Sequence, residues 1–399
     1  MSVPQAVVLC VLAFLLTGLA QAASRGVLLR ANFEKSPRRS GWQPGADRGE
    51  FKGTWAKADA DSRGRFLLAE RGHWQSPALE VEPLAYYRLS FRAKTRTEGY
   101  WAAEFFDADG NQLAADHYDS LPGSKGWRAH ECCFRANVDA AKVRVRFLAR
   151  RSPVAVDDVR IEKVTRRTVA AWADRVYASL PPVRYTPPRA RGKLLPKTMA
   201  KLRRGPSLRI VLLGDSIAND TSHSAFDALL ERACPSCRVE VVNSVRGGTG
   251  CAYYRQENRV RRYVLPFAPD LLIIAGISNG YDIESIRDVI RQVRSASDCE
   301  IFLMTGCVHP RVQGEINFAE SAPMSREEAC QVILKFPQRI AAMAAREKVE
   351  LLDIRKAWDE YILRSPMPHA WYLRDAVHAN TRGKHVLGRI LLRYFQPKR

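Results

Sequence analysis

The chain has 399 residues, 46% hydrophobic and 26% charged, with 63 Lys+Arg against 42 Asp+Glu and a net charge of +21. That composition excludes a largely disordered chain, a collagen-like fibre and a polytopic membrane protein, and the length fits two or three domains. It leaves a nucleic-acid binder open, so the position of the charge matters.

Residues 1–22 carry no charged side chain, and Ala6 to Leu16 is an apolar run ahead of Ala20-Gln21-Ala22. This layout predicts a secretory signal peptide cleaved after Ala22, and hence a periplasmic or secreted protein. The apolar run is shorter than the roughly 20 residues of a membrane span, so no membrane insertion is expected after signal removal. Of nine cysteines, Cys10 leaves with the signal. The remaining even number permits disulfides in an oxidising compartment. Cys234-x-x-Cys237 can be a tight local bridge or a redox pair; a metal site would need a second pair at similar spacing, which the chain lacks. Adjacent Cys132 and Cys133 lie in a strand-like stretch and point to opposite faces, which puts at most one in the core.

Residues 23–165 read as short β segments. Tyr87, Leu89, Phe91 and Ala93 alternate with Arg88, Ser90 and Arg92, and Val143, Val145 and Phe147 alternate with Arg144 and Arg146. Turn signals such as Asp109-Gly110 and Pro122-Gly123 separate them. This pattern predicts an antiparallel β-sandwich. Residues 166–207 hold six prolines and eleven Lys/Arg against the single acid Asp174. A helix can start near Thr165, but the rest reads as an extended basic linker.

From 208 to 399, apolar runs Leu208–Leu213, Val239–Val242, Leu271–Ala275, Ile301–Met304 and Val349–Leu352 alternate with helical stretches at Ala225–Ala233, Glu284–Arg294, Arg326–Ala345 and Thr381–Tyr394. The alternation predicts a doubly wound α/β sheet of about five parallel strands. The expectation is therefore two domains joined by a linker. By region the net charge is +6 over 23–165, +10 over 166–207 and +5 over 208–399. Nearly half of the excess falls in the connector rather than on a recognition face, which argues against nucleic acid as a partner.

The first α/β strand ends in Gly214-Asp215-Ser216-Ile217. Ligands of open α/β sheets bind at the carboxyl ends of strands, so Ser216 stands where a nucleophile would. Serine needs an adjacent base. Asp375-Ala-Val-His378, just before the last helix, supplies a carboxylate and an imidazole at a spacing that suits an Asp-oriented general base. Asp215, beside the nucleophile position, is a candidate substrate contact. Two glycine-bearing strand ends, Gly247-Gly248 and Gly276-Ile-Ser-Asn279, can furnish oxyanion donors from the Gly247 backbone and the Asn279 amide. His309, at the end of the fourth strand, is a candidate substrate contact, with a loop histidine bonded to backbone as the alternative.

These blocks, in this order over 208–395, resemble the SGNH (GDSL-type) esterase family. The resemblance implies a flavodoxin-like three-layer sandwich and a catalytic Ser216, Asp375 and His378. It places the oxyanion hole on Gly247 and Asn279, and it needs neither a metal nor an organic cofactor. The third block departs from the family's Gly-x-Asn-Asp by one extra residue before Asn279. The N-terminal region resembles galactose-binding-like, carbohydrate-binding-module jelly rolls, through Asn32-Phe33-Glu34, the Tyr87–Lys94 strand and Val156-Asp157-Asp158-Val159. Trp55, Trp74, Trp101 and Trp127 are candidates to stack on sugar, against the plainer reading that most are core aromatics. Asp157 and Asp158 alone are too few ligands for calcium.

Together these readings suggest a secreted serine esterase that removes acyl groups, chiefly O-acetyl, from a polysaccharide, with an anionic polymer as a candidate. The alternatives are a lipid or aryl esterase, an acyltransferase of the same fold, and a non-catalytic glycan-binding protein.

Overall fold

A computed structural model of the chain describes residues 26–46, 49–59, 62, 64–276, 281–307 and 326–397. The N-terminal part is built from β1 (Val27–Ala31), β2 (Gln43–Gly45), β3 (Lys52–Ala56), β4 (Phe66–Gln75), β5 (Leu79–Glu80), β6 (Tyr86–Thr95), β7 (Glu98–Phe106), β8 (His117–Pro122), β9 (Arg128–Arg135), β10 (Lys142–Ala149) and β11 (Val154–Val164). They form one large antiparallel sheet in the order β8-β7-β10-β4-β11-β6-β9, curled until it is nearly barrel-like.

Strand β4 makes the curl. Its first half pairs with β11, Ala69 opposite Val154, and its second half with β10, Trp74 opposite Phe147. Between the halves sits Gly72 at φ +79°, where an added Cβ would stand 2.5 Å from Gly45 O. A residue without a side chain lets the strand turn from one layer to the other. Alternation in β6 works as expected: Tyr87, Leu89, Phe91 and Ala93 are buried between half-buried polar neighbours. Trp74 and Trp101 belong to this core, at 5% and 3% exposure. Trp55 is tied by Nε1 to Phe33 O at 2.7 Å, with Arg65 over its ring.

The connector is not the extended linker its prolines suggest. Helix α1 (Arg166–Ala178) starts at Thr165, whose side chain accepts from Thr168 N, and buries Val169, Ala170, Trp172 and Ala173. Helix α2 (Pro196–Arg204) starts on a proline and buries Thr198, Met199 and Leu202. The basic residues find carboxylates: Arg166 with Asp227, Arg175 with Glu131, Lys201 with Asp270. Apolar residues at helical spacing outweigh the proline content, and part of the +10 is matched by these carboxylates. Helix α1 also packs across β9, with Trp172 Nε1 donating to Glu131 O at 3.3 Å. Both faces of that strand are therefore covered, and Cys132 and Cys133 are both buried, contrary to the expectation of one. Seven cysteines among the described residues, including Cys234 and Cys237, are free thiols.

The C-terminal part follows as β12 (Ser207–Gly214), α3 (Ser216–Ser222), α4 (Phe226–Ala233), β13 (Arg238–Val245), α5 (Cys251–Tyr254), α6 (Arg259–Tyr263), β14 (Leu271–Ala275), α7 (Ile283–Ala296), β15 (Glu300–Met304), α8 (Arg326–Glu347), β16 (Glu350–Leu352), α9 (Ile354–Arg364) and α10 (Thr381–Phe395). The five strands are parallel in the order β13-β12-β14-β15-β16. Numbered within the sheet this is 2-1-3-4-5, a doubly wound order that reverses between β12 and β14. Alternate side chains of β12 feed two cores. Leu208, Ile210 and Leu212 pack with α4, α9 and α10, while Val211 and Leu213 pack with α5, α7 and α8.

The two parts meet through buried charge. Asp227 of α4, fully buried, accepts from Tyr86 Oη of β6 at 2.5 Å, Arg135 Nη1 of β9 at 2.6 Å and Arg166 Nη1 of α1 at 3.1 Å. Burial alone would raise this carboxyl, but Arg135 and Arg166 hold it below its ordinary value. Among the described residues no helix is long and apolar enough to cross a membrane.

Candidate active site

Strand β12 ends at Gly214, and the chain turns sharply into α3. An added Cβ on Gly214 would lie 2.2 Å from Ala275 O, so only glycine passes this close to β14. Asp215 caps α3: its Oδ1 accepts from Ile217 N at 2.9 Å and Ala218 N at 3.3 Å, and the residue is 1% exposed. One oxygen of its carboxylate is thus used in capping the turn. Ser216 opens the helix at the reversal point of strand order, half-buried.

The other side of the site is a tight loop before α10. Arg374 N donates to His378 O at 2.9 Å, and Leu373 pairs with Ala379 in an isolated bridge. Asn380 closes the loop, with its amide on Trp371 O and Leu373 O and its Oδ1 capping α10. Within it, His378 Nδ1 lies 2.8 and 2.9 Å from the two Asp375 carboxylate oxygens, and His378 Nε2 lies 2.8 Å from Ser216 Oγ. Asp375 Oδ1 also accepts from the backbone of Val377 and His378. Burial raises the Asp375 carboxyl, but the hydrogen bond and charge of His378 and these two N–H groups outweigh it and hold it well below the usual carboxylate range. The carboxylate thus stays ionised, receives Nδ1–H and leaves Nε2 as the acceptor facing Ser216.

Gly247, exposed at the end of β13, borders this pair. A Cβ built on it would lie 4.0 Å from Ser216 Cβ, with nothing nearer. The strand end is anchored by Arg246 N on Gly214 O at 3.0 Å and Tyr254 Oη on the same oxygen at 2.7 Å. Gly276, at φ +68°, closes over the Asp215 cap, where an added Cβ would stand 2.1 Å from Asp215 Oδ1. Asn279 and His309 lie outside the described residues. Among the described residues, no group of three or more His, Cys, Asp or Glu could hold a metal ion.

No protein-family model matches the chain, and no curated protein matches its sequence. Among solved structures it is similar to the enzymatically active domain of tailspike protein 4 from bacteriophage CBA120, at 16% identity and a TM-score of 0.29, over 33% of this chain and 20% of that one. It is also similar to a catalytic mutant of Axe2, an acetylxylan esterase from Geobacillus stearothermophilus, at 15% identity and a TM-score of 0.39, over 50% of this chain and 97% of that one. A third similarity is to the CBM22-1 xylan-binding domain of Paenibacillus barcinonensis Xyn10C, at 15% identity and a TM-score of 0.27, over 35% of this chain and 95% of that one.

A set of residues that the sequence does not point to holds the site from behind. Arg374, one residue before Asp375, donates by Nη1 to Tyr118 O at 3.1 Å and to the Asp220 carboxylate. Asn219 Nδ2 donates to Asp116 O at 2.7 Å, and His223 Nε2 sits 3.1 Å from the same oxygen. Lys384 Nζ reaches Tyr118 O at 2.8 Å and Asp119 Oδ2 at 3.1 Å. Residues 116–119 of the β body are therefore clamped between the helix that starts at Ser216 and the loop that carries His378. The only linear signal is that Arg374 adjoins Asp375. Its partners lie 154 and 256 residues away in the chain.

Proposed function

We propose that the protein is a serine ester hydrolase that removes acyl groups, chiefly O-acetyl, from a polysaccharide outside the cytoplasm. One observation carries the reading. A single imidazole bridges the Asp375 carboxylate and the Ser216 hydroxyl, with 2.8 Å at each nearest contact. A surface Asp-His pair capping a helix would have no reason to aim Nε2 at a serine at the carboxyl end of a parallel strand.

In this reading His378 Nε2 takes the Ser216 proton as Oγ attacks the ester carbonyl carbon. The C=O electron pair moves onto oxygen, where the Ser216 and Gly247 N–H groups, with the Asn279 amide, are the donors the reading assigns. His378 then passes the proton to the departing alkoxide, and the alcohol leaves. Water, deprotonated by the same imidazole, attacks the acyl carbon; the C–Oγ bond then breaks, Ser216 Oγ takes the proton back from His378, and the carboxylic acid leaves. Asp375 stabilises the imidazolium at both stages. The polysaccharide substrate is supported by the sequence resemblance of residues 23–165 to carbohydrate-binding modules. Export is supported by the uncharged, apolar residues 1–22.

The test is acetate release from a panel of acetylated polysaccharides. Ser216→Ala is expected to lower kcat by a factor on the order of 10⁶, and Asp375→Asn by about 10⁴ through loss of the correct tautomer. A fluorophosphonate probe should label the wild type at Ser216 and leave Ser216→Ala unlabelled. Undiminished turnover by Ser216→Ala removes the mechanism. Turnover of aryl acetates but of no glycan moves the substrate to small esters.

A further inference from the structure

Residues 246–263, which run from the end of β13 through α6, hold five arginines and one acid, Glu257. Strands β12 and β13 are parallel, with Gly214 opposite Val245, so Arg246 leaves the sheet at the edge where Asp215 and Ser216 stand. It immediately precedes Gly247, the residue that borders Ser216.

The Arg246 guanidinium is fixed between two tyrosines. It stands 5.7 Å from the Tyr253 ring centroid and 5.5 Å from that of Tyr263, and Nη1 donates to Tyr263 Oη at 3.1 Å. The two hydroxyls are 3.3 Å apart. Tyr253 in turn lies edge-on to Tyr254, the residue whose hydroxyl holds Gly214 O. Arg262 stands 5.4 Å from the Tyr263 centroid. Arg259, over Tyr253 at 3.7 Å, is paired with Glu257. Arg246 and Arg262 have no ion pair among the described residues.

Arg246, lodged between two rings, and Arg262 beside one of them have no carboxylate partner among the described residues and form a positive surplus next to Gly247. Water hydrates guanidinium weakly, and its planar fork matches a carboxylate through two parallel hydrogen bonds. The tyrosine rings add an apolar surface against which a sugar ring can lie.

We propose that Arg246, with Arg262 and the Tyr253–Tyr263 pair, forms a subsite for a carboxylate-bearing sugar next to the acylated residue. The subsite rests on the esterase reading of Ser216 and narrows its substrate to acyl esters of uronic-acid polysaccharides. The neutral parts of the substrate remain free to vary, because the fork recognises only the carboxylate.

The test compares acetylated polygalacturonate with acetylated xylan. In Arg246→Gln the ratio of kcat/KM on the two polymers should fall about tenfold, mostly through KM on the uronate. Arg246→Lys should fall between, since it keeps the charge and loses the fork. Arg261→Gln removes the same charge from an exposed position of α6 and should leave the ratio within twofold of wild type. Equal losses on both polymers, or an equal loss in Arg261→Gln, overturn the proposal. A second arm measures binding of unacetylated oligogalacturonate to Ser216→Ala, with and without Arg246→Gln, by calorimetry. Binding that weakens about tenfold with the added substitution supports the subsite even if the wild type releases no acetate, in which case only the esterase reading fails. Absence of binding to Ser216→Ala overturns the subsite.

Discussion

Lys384 is a methylene stem and an ammonium group that are 1% exposed. Its Nζ serves Tyr118 O and Asp119 Oδ2 and lies 3.8 Å from Asp220 Oδ1. Lys384→Met keeps the length and removes the charge. Asp119 then retains Thr381 Oγ1 at 2.6 Å and Ser120 N at 2.8 Å, and Asp220 retains Arg374. Two carboxylates, each 1% exposed, lose a shared cation. Breaking a buried pair by removing one partner costs about 3–5 kcal/mol. For a cooperative unit of some 150–250 residues that is roughly 6–20 °C in Tm, measured by differential scanning calorimetry. One control separates charge from packing. Asp119→Leu added to Lys384→Met should recover at least half of the loss, because the stranded carboxylate is gone. A Tm within about 2 °C of wild type, or a double variant equal to the sum of the singles, refutes the reasoning.

Two further expectations concern single residues. Gly276→Ala forces a Cβ to within 2.1 Å of Asp215 Oδ1 at φ +68°, so it should cost about 1–3 kcal/mol and lower kcat, by displacing the cap that aims Ser216; chemical denaturation and acetate release read both. Unchanged stability and rate would sink it. Asp157 is 2% exposed, and its carboxyl is pushed up to about 6, first by burial and then by Asp158, against the Asp158 N–H it accepts at 2.8 Å. Between 3.8 and about 6 the folded chain holds a proton that the unfolded chain has lost, so stability falls as pH rises through that window and stays lower above it. Asp157→Asn keeps the acceptor and should raise stability at pH 7.5 by up to ~3 kcal/mol while leaving it nearly unchanged at pH 4. Equal gains at both pH values would contradict this account.

The parallel sheet was legible because its strands are buried on both faces and so read as unbroken apolar runs: Leu271–Ala275 matches β14 to the residue. The β alternation was equally plain in β6. In the connector, proline and charge dominate the composition and mask the two helices. Its packing depends on a few apolar positions, Val169, Trp172, Met199 and Leu202, whose meaning appears only against the surfaces they cover. Ser216, Asp375 and His378 could be singled out because each sits in a short block beside an element end. Arg374, Asp220, Asp119 and Lys384 could not, since a buried salt bridge leaves no periodic trace and its members are set by the docking of two separate folds. The capping bonds of Asp215 are hidden for a related reason: a carboxylate beside a reactive serine and a helix cap look the same in one dimension.

The Asp227 junction bears on how such a chain can change over generations. Its carboxylate answers to Tyr86, Arg135 and Arg166, one contributor from each of two β strands and one from the connecting helix. A recombination event that exchanged the β body for another module would leave that anion facing an unmatched surface, at a cost larger than most point substitutions. The halves are therefore expected to be inherited as a matched set. In any collection of descendants, a change at position 227 should travel with changes at 86, 135 and 166, while the exposed loops at the far ends of the strands drift independently.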